Sequence, residues 1–116
     1  MLSKDFLIKN FPINKIYDKE YINDRLLLVC KFVYNYIDTT YKNDGFENLR
    51  HLMTLYIEHY LFNLYDNDLI ELDSKVEFKN TSYIITYIDS FNITREFVFN
   101  YKKEKMLQKL KKLNIK

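Results

Sequence analysis

The chain predicts an α+β fold, and three observations carry that prediction. Residues 21–41 are apolar at almost every position around a helix, the hydrophobic period shortens from about 3.6 to 2 near residue 70, and residues 102–116 hold seven lysines in an amphipathic pattern. The expected architecture is a helical N-terminal half, made of a short helix and then a long antiparallel helix pair. That half packs on a three-stranded antiparallel meander and is followed by a basic amphipathic C-terminal helix. All of it is expected to form a single domain spanning residues 1–116.

Each element has its own signal. Ser3 caps a first helix through Asn10, with Phe6, Leu7 and Phe11 as its apolar side, and Pro12 ends it. Asp18 caps the central helix, which runs to Tyr41. Asp24, Lys31, Asn35 and Asp38 form its thin polar strip, and the breadth of its apolar arc predicts a helix enclosed by neighbours, with Leu27 and Val33 both buried. Asp44-Gly45-Phe46-Glu47 has the form of a capping box and opens a third helix over 45–65. Leu49, Leu52, Met53, Tyr56, Tyr60 and Leu64 share one face of it, and Glu47, His51, Thr54 and Glu58 share the other.

From Ile70 to Lys79, Ile70, Leu72, Val76 and Phe78 alternate with charged residues, which reads as a half-exposed strand with a bend at Asp73-Ser74. Asn80-Thr81 turns the chain. Ser82–Asp89 is apolar on both faces, as a central strand is, with Ile84 and Ile88 on one and Tyr83, Ile85 and Tyr87 on the other. Ser90-Phe91-Asn92 turns again, and Ile93–Tyr101 directs Ile93, Phe97, Phe99 and Tyr101 one way. In the last helix Met106, Leu107, Leu110 and Leu113 form a seam beside the lysine stripe Lys102, Lys105, Lys109, Lys112 and Lys116.

Composition bounds the function. No alanine, one glycine and one proline stand against 11 Tyr and 9 Phe. That profile follows A/T-rich codons and points to a low-GC bacterium, a phage or a large virus. The longest apolar run, Leu26–Cys30, is far shorter than the ~20 residues of a membrane span. Together with a lone cysteine and an N-terminus unlike a secretory signal, it predicts a soluble cytoplasmic protein, in a bacterial cell or the host cell of a phage or virus. The net charge of +2 is split: residues 102–116 carry seven Lys against one Glu, and residues 1–101 carry 11 Lys and Arg against 15 Asp and Glu.

The candidate chemistry is sparse. Cys30 sits mid-helix among Leu26, Val29, Val33 and Tyr34, where a thiol behaves as a small hydrophobe. His51 and His59 lie on the third helix, and Glu47, His51 and Glu58 share a stripe, but the spacing matches neither H-E-x-x-H nor Glu-x-x-His. With one glycine, phosphate-cradling loops are excluded. The expectation is a non-enzyme without cofactor or metal. Two charged margins remain. The basic helix has three readings: its seam docks on the sheet, its lysines bind nucleic acid, or it lies on an anionic membrane surface. The acidic cluster Asp66, Asp68, Glu71, Asp73 and Glu77, with Tyr65, Tyr83 and Tyr87 nearby, blunts a sheet edge or faces a basic protein partner.

The leading expectation is a small protein-binding protein that masks another protein through that acidic, Tyr-bearing surface, as immunity proteins, antitoxins and anti-defence inhibitors do. The alternative is nucleic-acid binding through the lysine stripe. A homo-oligomer is compatible with both.

Overall fold

The apolar run over 21–40 folds into a helix lying over one face of a small sheet. The computed structural model describes residues 4–13, 19–40 and 46–114. Its elements in order are α1 (Lys4–Asn10), α2 (Lys19–Thr40), α3 (Phe46–Asp66), β1 (Lys75–Lys79), β2 (Ser82–Ile88), β3 (Thr94–Asn100) and α4 (Tyr101–Asn114). The strands pair antiparallel in the order β1-β2-β3, so the molecule is α+β with β2 in the centre. The caps expected at Ser3, Asp18 and Asp44, and the side chains of Glu47 and Leu49, lie outside the described part.

The core is the space between one sheet face and two helices. From the sheet come Tyr83, Ile85, Tyr87 and Phe99, backed by half-buried Val76, Phe78 and Phe97. α2 contributes Ile22, Leu26, Val29, Cys30, Val33 and Ile37, and α3 contributes Met53, Tyr56, Ile57, Tyr60, Leu61 and Leu64. α2 lies toward β3 and α3 toward β1, and the two helices pack on each other. Two buried hydroxyls tie the layers: Tyr87 donates to Asn23 Oδ1 at 2.8 Å, and Tyr60 donates to the Phe11 carbonyl at 2.9 Å.

Several expectations are corrected by this layering. α2 is not enclosed all round: with the sheet beneath it, α3 beside it and Phe6 of α1 stacked on its Phe32, it still keeps a solvent side, where Leu27 and Leu28 are exposed. The first strand starts five residues later than the alternation suggests. Ile70 does bridge Asp89, but four residues, 71–74, then lie opposite only two, 87–88, before regular pairing begins at Lys75↔Thr86. In this bulge the Ser74 amide donates to the Leu72 carbonyl at 2.7 Å, and Leu72 is turned outward. Ile93 precedes β3 and is exposed.

With so little glycine, Asn and Asp take the left-handed backbone positions: Asp68 (φ 63°), Asn80 (φ 60°) and Asn92 (φ 62°). Asp68 closes α3. Its amide donates to Tyr65 O and that of Leu69 to Leu64 O, each at 3.0 Å, with Leu64 and Leu69 both buried, which is a Schellman ending. At the β2–β3 turn, Asp89 Oδ1 accepts from the amides of Phe91 and Ile93, and its Oδ2 accepts from Arg95 Nε at 3.0 Å.

Candidate protein interface

The acidic margin is built on the end of α3 and the bulge that follows it. Helical spacing sets Glu58, Phe62, Tyr65 and Asp66 on one exposed stripe of α3, and the core-facing residues Leu61 and Leu64 anchor the helix beneath it. The bulge then lifts Leu72 out of the sheet between Glu71 and Asp73. Glu58, Leu61, Phe62, Leu72, Ser74, Lys75 and Val76 enclose a groove of about 260 Å³ between α3 and the start of β1. Phe62 is 52% exposed and Leu72 56%, values high for large apolar side chains, and Tyr65 is exposed beside them.

Asp66, Asp68, Glu71 and Asp73 are all exposed around this patch. The positions of the first two oppose local stability. The C-terminal end of a helix carries partial negative charge and favours cations, yet the last turn of α3 has no basic residue. Acidic side chains are kept here against the helix dipole.

The remaining members of the expected surface are elsewhere. Tyr83 (4% exposed) and Tyr87 (0%) point into the core and are removed from the candidate surface, because the alternation of β2 sends odd-numbered residues inward. Burial pushes the Tyr87 hydroxyl up to about 12 and Tyr83 higher still. Glu77 is exposed, but it stands on the open sheet face and pairs with Lys75 at 2.8 Å, a hydrogen bond that holds its carboxyl below the usual range. Phe62 and Leu72, which the sequence reading did not assign to the surface, supply its apolar centre.

Neither a family model, nor a curated protein, nor a solved structure matches this chain. Function therefore rests on its own residues.

The other candidate chemistry is placed plainly. Cys30 is fully buried, and burial raises its thiol pKa far above the ordinary value. His51 and Glu58 are exposed on α3. Among the described residues no group of three or more His, Cys, Asp or Glu is placed to hold a metal ion. No helix among them is long and apolar enough to cross a membrane.

The basic helix differs from one of its readings. Asn100 Oδ1 accepts from the Lys103 amide at 3.0 Å, and the Tyr101 amide donates to Thr81 O at 3.1 Å, so α4 starts directly from β3 with no linker. Met106 is 61% exposed and Leu110 52%, with Leu107 exposed between them, so the body leaves these seam positions uncovered; the side chain of Leu113 lies outside the described part. Lys102, Lys105 and Lys109 are exposed too; Lys116 and the side chain of Lys112 lie outside the described part.

Proposed function

We propose that the chain is a non-enzymatic protein-binding protein, which uses the surface formed by Phe62, Tyr65 and Leu72 and its rim of Glu58, Asp66, Asp68, Glu71 and Asp73 to hold a basic partner. The observation that carries this reading is the pair of outward-turned apolar side chains, Phe62 and Leu72, in one groove whose charged lining residues are Glu58 and Lys75, with the exposed carboxylates of Asp66, Asp68, Glu71 and Asp73 on the adjoining end of α3 and the bulge. An apolar centre with a charged border is the ordinary anatomy of a recognition surface. The apolar centre supplies affinity, and the charge steers encounter and selects partners of opposite sign. Immunity proteins, antitoxins and anti-defence inhibitors work by masking a second protein in this way, and that is the class we assign.

The test is affinity capture from the source cells with three baits: the wild-type chain, a Phe62→Asp/Leu72→Asp variant and a Lys102→Glu/Lys105→Glu/Lys109→Glu variant. Both Phe62 and Leu72 are exposed, so the first variant is expected to fold as the wild type does, checked by circular dichroism. A partner retained by the wild type and the lysine variant, and lost from Phe62→Asp/Leu72→Asp, supports the reading. A partner held equally by all three contradicts it.

A second reading draws on the exposure of α4. Lys102, Lys105 and Lys109 are exposed to solvent, where they can neutralise phosphates. Nucleic-acid binding of this kind appears at low salt and weakens steeply as salt rises; no mobility shift of duplex DNA or RNA at low salt would remove it.

A further inference from the structure

The apolar seam of α4 is left in water, and it has a complement on the same molecule. Met106, Leu107 and Leu110 are exposed along a helix whose other side is lysine, and Phe62 and Leu72 are exposed in a groove lined by Glu58 and Lys75, on a stretch of chain that also carries the exposed acids Asp66, Glu71 and Asp73. Each surface lacks what the other has. We propose that in the absence of another partner α4 of one copy occupies the α3–β1 groove of a second copy. Its seam then covers Phe62 and Leu72, and its lysines face Glu58, Asp66, Glu71 and Asp73. This inference rests on the binding surface proposed above and names one occupant for it.

Geometry favours a second copy over the chain's own helix. α4 begins where the Tyr101 amide meets Thr81 O, at the hairpin end of the sheet. The groove opens at the other end of β1, beside Leu72, Ser74 and Lys75. The five residues of β1 separate the two, roughly 16 Å at 3.3 Å per residue. Inside its own molecule α4 touches β2 near the hairpin and borders α2, its Lys105 lining a pocket with Tyr34 and Asp38 and its Leu107 a groove with Leu27 and Lys31. Among the described residues, none of those lining its own groove belongs to α4, which is engaged on this other side of the molecule.

Exchange of α4 between two copies makes both contacts at once, and a twofold arrangement closes on itself. It also gives the helix a regulatory role. A basic partner that takes the groove has to displace α4, so the copy number of the chain sets how much surface is free.

The measurement is molar mass by light scattering on size-exclusion chromatography, across a concentration series, at about 0.05 and about 0.5 M salt. The wild type is expected to shift from 14.3 kDa toward twice that mass as concentration rises, with weaker association at the higher salt. A Met106→Glu/Leu110→Glu variant and a Phe62→Glu/Leu72→Glu variant, all at exposed positions, are each expected to associate at least about tenfold more weakly with themselves. Mixed together they keep one intact contact, a helix from the groove variant in the groove of the helix variant, so a heterodimer is expected where neither alone forms one.

A wild type that stays at 14.3 kDa throughout overturns the inference, even if it still captures a basic protein through Phe62 and Leu72, a result that would leave the proposed surface standing. Association that survives in both variants, or a mixture that fails to pair, also overturns it.

Discussion

At the scale of single residues, the chain spends local stability at Asp68 and gains it at Asp89. Asp68 holds a left-handed backbone at the end of α3, where glycine fits without a Cβ penalty, and it adds negative charge where the helix dipole is already negative. Asp68→Gly is expected to raise stability in urea denaturation by about 1 kcal/mol, since both penalties go together. If Asp68 belongs to the recognition rim, the same change weakens partner binding. Asp89 is the opposite case. Burial alone would raise its carboxyl, but the Ile93 amide, the Arg95 guanidinium and the Phe91 amide together hold it below the ordinary value. A carboxylate lowered on folding contributes stability above the unfolded-state pKa of about 3.9 and loses it as pH falls through the folded value. Asp89→Ala is expected to cost about 2–3 kcal/mol near neutral pH and to flatten the acid limb of the stability profile below about pH 4. An unchanged acid limb would contradict that role.

At the scale of elements, what could be read in the sequence was what a simple period encodes. α1, α2, α3, the meander and α4 follow from 3.6- and 2-residue patterns, and their boundaries fall close to the observed ones. Leu72 was misplaced for a definite reason. Four residues facing two add two to the strand, and an even insertion leaves the in–out alternation of Ile70, Val76 and Phe78 intact. No pattern of period 2 can reveal such a bulge. Phe62 was overlooked because the third helix is apolar beyond one face, and sequence does not say which side meets the sheet. The same blindness applies to α2, where Leu27 and Val33 look alike in sequence but differ in burial. Val33→Asp is expected to unfold the molecule, because an unpaired charge would enter the core, while Leu27→Asp is expected to stay within about 1 kcal/mol of the wild type. Thermal melts followed by circular dichroism distinguish them, and equal losses would show that α2 has no solvent side. The seam of α4 misled differently: amphipathicity shows that a helix has an apolar face without saying whether this chain covers it.

At the scale of the whole molecule, the two charged margins lie at opposite ends of β1. The acidic one is seated on α3 and the bulge, and the basic one extends from β3. The core between them is closed by side chains with ordinary packing roles, Cys30 and the inward tyrosines included. Both margins set exposed apolar groups beside a groove, Phe62 and Leu72 on the acidic one and Leu107 on the basic one, and the proposed function assigns partner binding to the first. Amide hydrogen exchange, run on the chain alone and bound to a captured partner, tests this most directly. Added protection over residues 58–66 and 71–76, with little change over the remaining strands and α2, is the expected result. Protection confined to residues 102–110, or spread over the open face of the sheet, would contradict it.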